Sequence, residues 1–351
     1  MPDWNLLLKP MFVWCLLTSP LSGDDYVSYL DPAKAGPDFQ VQGEYVGVVG
    51  NAQPVAAQVI ALSNGAFEGI LYAGGLPGDG WDGVGRFAFA GKTKAGVTEF
   101  HGMHGERLGF VNPNFRGVYE KGSIRGTAKM FLNVVQDATF TMKKIERKSP
   151  TLGARPPAGA IVLFDGTNTD AWEEGKIVEN NLLDNGAMSK RKFRNHFIHV
   201  EFRCPFMPTA KGMKRGNSGL FVKNMWEIQI LDSFGWNRDN RKFERLSAFG
   251  RCGGIEEMAP PELNAALPPL SWQTYDVEFR DAEFDSRGTK LRPAMITIHL
   301  NGIRIHNRVV LPPAPPEPEE SRATEGMPGA LYLQEHGNPV RFRNIWVVER
   351  P

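Results

Sequence analysis

Apolar and polar residues alternate in short runs along most of this chain, and glycine, asparagine or proline closes nearly every run. Between residues 37 and 147 the runs are FQVQGEYVGVV, AAQVIALS, FEGILYAG, RFAFAGKT, GVTEFHG, RGVYEKGS and ATFTMKKIE. A period of two turns one face of a segment to a core and the other to water, the pattern of a half-buried strand. No amphipathic helical period interrupts these runs. Residues 37–147 therefore read as a small antiparallel β domain, with a meander as its simplest connection.

The stretch KSPTLGARPPAGA (148–160) breaks the pattern, with three prolines and no aromatic residue. It reads as a linker at 148–157. After it, over residues 158–351, strand-like runs resume: IVLFDG, KIVENNLLD, FIHVEFRCPF, GLFVKNMWEIQILDSF, TYDVEFRDAEF, AMITIHLNGIRIHNRVVL, ALYLQEH and VRFRNIWVVE. The Asn-Gly pair in LNGI (300–303) is a two-residue hairpin signal. Its register would place Thr297, His299, Arg304 and His306 on one face. Ile296, Ile298, Ile303 and Ile305 would take the other. The proline-rich acidic segment 312–326 reads as a surface connector. Many strands and few helices predict an all-β chain whose second half is a two-sheet jelly-roll β-sandwich.

The 351 residues exceed one ordinary core, which supports two domains. Forty basic and 39 acidic residues leave a net charge of +1, which gives no electrostatic reason to expect nucleic acid or an anionic membrane. Lys9, the apolar run Met11 to Leu17 and the small or turn residues up to Gly23 have the layout of a signal peptide over residues 1–23. That predicts a secreted or periplasmic protein. No segment is long enough to span a bilayer comfortably. Cleavage would leave two of the three cysteines, Cys204 and Cys252, either bridged or as buried thiols. In the glycine-rich loop GGLPGDGWDG (74–83), Trp81 reads as a packing plug. His101 and His104 alternate in a β-rich context and read as surface or loop residues.

The run NMWEIQILDSFG (224–235) carries Glu227, Gln229 and Asp232 through an apolar strand. Glu227 and Gln229 share a face, while Trp226, Ile228 and Ile230 take the core side. A bulge near Leu231 would return Asp232 to the side of Glu227. The spacing E-x-Q-x-x-D is similar to the E-x-D-x-x-E signature of laminarinase-type glycoside hydrolases, in which the outer carboxylates do the chemistry. Here the central acid is Gln229 and the last is the shorter Asp232, a departure from the paired carboxylates of retaining hydrolysis. On this motif alone, catalysis and a lectin-like binding face remain equal alternatives.

A broader resemblance rests on IVLFDGTNTDAW (161–172), FIHVEFRCP (197–205), RGNSGLFVKNMWEIQILDSFG (215–235), CGGI (252–255) through WQTYDVEF (272–279), ITIHLNGIRIH (296–306) and LQEHGNPVRFRNIWV (333–347). In this order they resemble the 3-keto-disaccharide hydrolase domain family, over essentially all of residues 158–351. The resemblance implies a concanavalin-like jelly roll, export, and action on 3-oxo-glycosides.

Such a substrate invites elimination. A ketone at C3 acidifies the C2 proton, a base removes it, the C1 substituent leaves, and water adds afterwards. The expected base is Glu227 or Asp232, with His336 as acid or enolate partner, since Tyr332, Gln334 and His336 share a face by period two. Gln229 and Gln334 would bind sugar hydroxyls, and Trp236 would stack on a sugar ring. Asn217 serves either a tight turn or a ligand, and Arg343 either binds substrate or braces the site. His306 joins the candidates if its face lines the groove. A divalent metal held by Glu227, His336 and a neighbour would stabilise the enolate, although no ligand spacing establishes one. The alternatives to an enzyme acting on a saccharide substrate are a noncatalytic carbohydrate-binding module and a cell-surface adhesion protein.

Overall fold

The computed structural model describes residues 26–50, 52–103, 114–129, 137–235, 246–313 and 324–351. The expected signal peptide at 1–23, His104, Trp236 and residues 314–323 of the proline-rich segment lie outside the described residues. Among the described residues, the first eight strands are β1 (Gly43–Val49), β2 (Gln53–Ala61), β3 (Ala66–Ala73), β4 (Arg86–Lys94), β5 (Val97–Gly102), β6 (Arg116–Glu120), β7 (Ser123–Lys129) and β8 (Asp137–Ile145). Each pairs with the next and β1 pairs antiparallel with β8, so the meander closes into a barrel. Closure leaves no unpaired edge strand.

Alternate residues fill the barrel, among them Val55, Ala57 and Val59 of β2, Phe87 and Phe89 of β4, Phe100 of β5 and Phe140 of β8. Two glycines make room for the rings. A Cβ on Gly69 would lie 2.3 Å from the Phe89 ring, and one on Gly91 2.4 Å from Phe100. One expectation is corrected at the entrance. Residues FQV do not extend β1 but finish a short helix, α1 (Gly36–Val41). Pro37 sits in its first turn, where a missing N–H breaks no bond. Trp81 is half-buried with its ring edge-on to Tyr72, centroids 5.2 Å apart.

The strands that follow are β9 (Ile161–Phe164), β10 (Trp172–Glu173), β11 (Ile177–Val178), β12 (Leu182–Asp184), β13 (Ala187–Ser189), β14 (His196–Arg203), β15 (Ser218–Val222), β16 (Trp226–Ile230), β17 (Gln273–Arg280), β18 (Glu283–Phe284), β19 (Lys290–Arg292), β20 (Met295–Leu300), β21 (Ile303–Val310), β22 (Tyr332–Leu333) and β23 (Arg341–Glu349). They form a jelly-roll sandwich. The small sheet has the order β10-β13-β22-β15-β16 and the large one β11-β12-β23-β14-β17-β20-β21, with β9 added on β23. Trp226, Ile228 and Ile230 face the core between the sheets, against residues such as Val277, Phe279 and Ile298. The buried Trp226 indole donates to Pro312 O at 3.1 Å, which satisfies its one polar group.

Asn301 and Gly302 both have positive φ, 54° and 77°, as the hairpin signal required. The expected register of this hairpin is corrected by shifts between Ile296 and His299. They pair Ile298 with His306 and turn His306 inward, where it is buried with Nε2 at 2.7 Å from Gly253 O. Cys204 and Cys252 are free thiols, both fully buried. Among the described residues, no helix is long and apolar enough to cross a membrane.

The stretch expected as a linker is bound to the protein. The Ser149 and Thr274 hydroxyls lie 2.6 Å apart, Thr151 Oγ1 donates to Asp276 Oδ2 at 2.6 Å, and Gly153 N donates to Glu201 Oε1 at 2.5 Å. It forms a strap across the outer face of the large sheet. The barrel meets the sandwich at the end of β16, where Ile60 packs on Phe234, and again where Phe206 joins the barrel's apolar cluster.

Candidate functional site

Because Trp226, Ile228 and Ile230 turn inward, Glu227 and Gln229 are carried to the outer face of the small sheet, as the period of two requires. Strand register then lays out a row across that face. Glu173 pairs with Met188, Met188 with Tyr332, Tyr332 with Phe221, and Phe221 with Glu227. The Phe221 and Tyr332 rings stand 5.7 Å apart at 51° and form an aromatic floor beside the carboxylate. In the next row Gln334 N donates to Gly219 O at 2.8 Å, and Gly219 pairs with Gln229.

Gly219 is essential to this arrangement. A Cβ there would lie 2.4 Å from Glu227 Oε1, so the carboxyl rests across bare backbone. Burial, and then the charge of Glu256, push the Glu227 carboxyl from its ordinary 4.5 up to about 7. Glu256 was not among the residues expected from the sequence. Segment 253–256 pairs along β16, with Gln229 N donating to Gly254 O at 2.8 Å, Glu256 N donating to Glu227 O at 3.1 Å, and Ile228 bridged to Ile255. The alternation in GGIEEM was the only hint of that edge, and it is too short to read.

Gln229 is on the expected face but is buried and braced. Its Nε2 donates to Asn217 Oδ1 at 2.8 Å, to Ser218 O at 3.0 Å and to Ile230 O at 2.9 Å. Asn217 N in turn donates to Asn338 Oδ1 at 2.8 Å. Asn217 and Gln229 thus tie β15, β16 and the loop after β22 together. Gln334 is half-buried at the floor, and its Oε1 is sealed from solvent with no donor among the described residues. His336 does not continue the strand. β22 ends at Leu333, and His336 is exposed on the following loop at the rim. β22 lies two strands, about 10 Å, from β16.

Two expected site residues are placed elsewhere. Asp232 does not return to the groove through a bulge. The chain turns after β16, and Asp232 is buried with Oδ2 2.6 Å from Arg215 NH2, both side chains sealed from solvent. A buried carboxylate needs such a partner, and Arg215 also donates to Met207 O at 2.5 Å and Ala210 O at 2.8 Å. Arg343 lies on the outer face of the opposite sheet. Its Nε donates to Glu201 Oε2 at 2.6 Å, and its guanidinium lies 4.0 Å from the Trp272 ring centroid.

Glu201 belongs to a network under the strap. His199 Nδ1 is 2.6 Å from Asp276 Oδ1, and the ring stacks on Trp346 at 5.0 Å. Burial opposes charge on His199, but hydrogen bonds to Asp276 and Glu201 outweigh it and hold the imidazole above its ordinary 6.5. Burial likewise raises Glu201, yet bonds from His199, Asn344, Arg343 and Gly153 prevail and hold it at about 2. These groups lock the strap and do not line the groove. Among the described residues no three His, Cys, Asp or Glu side chains form a group that would hold a metal ion, the expected Glu227 and His336 set included.

A model of the 3-keto-alpha-glucoside-1,2-lyase-like domain matches residues 159–348. No protein of curated function matches the chain. Among solved structures the chain is similar to a provisionally assigned glycosyl hydrolase from Parabacteroides distasonis ATCC 8503, at 27% identity over 55% of this chain and 84% of that chain, with a TM-score of 0.46. It is also similar to a second such protein from the same organism, at 18% identity over 57% and 93% of the two chains, with a TM-score of 0.33.

Proposed function

This chain belongs to the 3-keto-alpha-glucoside-1,2-lyase-like domain family and is carbohydrate-active, and from that premise we propose that the groove of its small sheet cleaves 3-oxo-glycosides by elimination and hydration. The observation that carries this reading is Glu227, half-buried on an aromatic floor with its carboxyl raised to about 7. A group at that value exchanges protons readily near neutrality, and the reaction must move protons at both C2 and the glycosidic oxygen. Phe221 and Tyr332 stack beneath the sugar ring, and the half-buried Gln334 amide meets a ring hydroxyl beside them. Gln229 and Asn217 hold the floor, and His336 at the rim is the partner of the enolate oxygen.

The test is incubation of purified protein with a 3-oxo-disaccharide in D2O, following loss of the glycosidic bond and deuterium entry at C2. Glu227→Gln should lower turnover by roughly 10²–10⁴-fold, and His336→Ala should lower it less. Cleavage with neither deuterium at C2 nor a rate drop on a C2-deuterated substrate would refute elimination. Binding without cleavage would make the sandwich a lectin-like module. We place the reaction outside the cytoplasm, a location supported by the leader-like residues 1–23. A mature N-terminus starting close to Asp24 is the expected result on the purified exported protein.

A further inference from the structure

Glu227 has a second carboxylate across from it, placed there by backbone pairing alone. Ile228 is bridged to Ile255 in antiparallel sense, so Glu227 and Glu256 are direct opposites and share the outer face. Opposed residues keep their Cβ atoms about 5 Å apart, and two like charges so placed repel. Such a pair relieves the repulsion by keeping one member protonated. Glu256 Oε2 is buried, and among the described residues no donor reaches it.

We propose that Glu256 is the base of this site and takes the proton on C2, while Glu227 hands its own proton to the departing glycosidic oxygen; this rests on the reaction inferred above. The geometry suits both proton transfers from one side, with the C3 enolate between them. The carbon that loses a proton and the oxygen that gains one are joined through C1 alone, and the two carboxylates reach the same face from directly opposed residues. In the first step the C2–H electrons form the C1=C2 bond, and the C1–O electrons leave with the oxygen. Glu256 gains a proton and Glu227 loses one, giving an unsaturated 3-oxo sugar and a free alcohol. In the second step water adds to C1 and gives its proton to Glu227, and Glu256 returns a proton to C2. The pair ends as it began, and one water has been consumed.

The direction of labour follows from which member ionises first. Glu227 is the more deeply buried of the two, across the bare backbone of Gly219, and burial favours its protonated form first, with the charge of Glu256 second. Burial, and then Glu257, raise Glu256 above the ordinary carboxylate range, which makes it a stronger base than a solvated carboxylate.

The test crosses two variants with two leaving groups, an alkyl alcohol and a nitrophenol, on the same 3-oxo-glycoside. Glu227→Gln should lose about 10²–10⁴-fold on the alkyl glycoside, and under 10-fold on the nitrophenyl one, which needs no protonation. Glu256→Gln should lose activity on both, together with deuterium entry at C2, and Glu256→Asp should restore part of each. The reverse pattern, with exchange lost in Glu227→Gln and kept in Glu256→Gln, would overturn the assignment while leaving the reaction standing. A wild-type protein inert toward both glycosides would overturn the reaction and the assignment together. Should Glu256→Gln fold poorly, carbon-13 titration of wild-type glutamate side chains still decides the matter. Two carboxyls titrating independently would overturn the acid and base pairing, and two linked steps would support it.

Discussion

Replacing Glu227 with glutamine should make the protein more stable above neutrality, and the size of the gain can be worked from the site. The folded carboxyl stands at about 7 against an ordinary 4.5. Between those values the folded chain keeps a proton that the unfolded chain releases. Stability therefore falls as pH rises from 4.5 to 7 and stays lower above 7. The difference of 2.5 units between those values corresponds to roughly 3 kcal/mol at most. The partly solvated groove and the coupling to Glu256 reduce this to about 1–2 kcal/mol. Glutamine keeps the shape and cannot ionise, so its melting curve should lose that slope. For a sandwich of this size the gain at pH 8 amounts to about 3–8 °C in Tm, with no gain at pH 4. Calorimetric melts of both proteins from pH 4 to 8.5 measure it. Parallel pH profiles, or a glutamine variant less stable at pH 8, would refute the argument that Glu227 is ionised at a cost to the fold. The expected result is the usual opposition between a working site and a stable one.

Other outcomes follow from neighbouring features. Gly219→Ala would put a Cβ 2.4 Å from Glu227 Oε1 and should cut turnover while leaving the circular dichroism spectrum unchanged. Asp232→Ala strands Arg215 as a buried unpaired cation and should cost about 3–5 kcal/mol in a urea melt, with kcat per folded molecule unchanged. His199 is held above its ordinary value, so its stabilisation is present below pH 6.5 and lost as pH rises through the folded value. Exchange of the Gly153 amide, corrected for intrinsic rate, should accelerate over that rise, and His199→Gln should show the fast rate throughout.

The period of two was enough to read strand after strand, because each strand has one wet face and one dry one. It placed Trp226, Ile228 and Ile230 in the core and Glu227 on the outer face, and the Asn301–Gly302 turn was legible from its dipeptide. Closure of the barrel was not legible, since pairing of β1 with β8 joins residues 44 and 145 across the whole unit. Asp232 was misplaced because its partner Arg215 belongs to a different segment, and nothing local says that the two charges meet. His306 escaped through shifts in register, which alternation alone cannot reveal. Arg343 shares a block with the rim loop in sequence, yet the chain crosses to the other sheet between them. Glu256 was missed because its neighbour Glu227 is supplied by a pairing outside any regular strand.

The strap has a bearing on where this molecule can be divided. Homology begins at residue 159, but Glu201 and Asp276 inside the homologous region take bonds from Gly153 and Thr151 outside it. A fragment cut at the homology boundary would leave two carboxylates and an imidazole on a surface that had been sealed. In this chain the inherited unit and the cooperative unit differ in extent. Trimming for crystallisation, or swapping the barrel for another module, is best done upstream of residue 149.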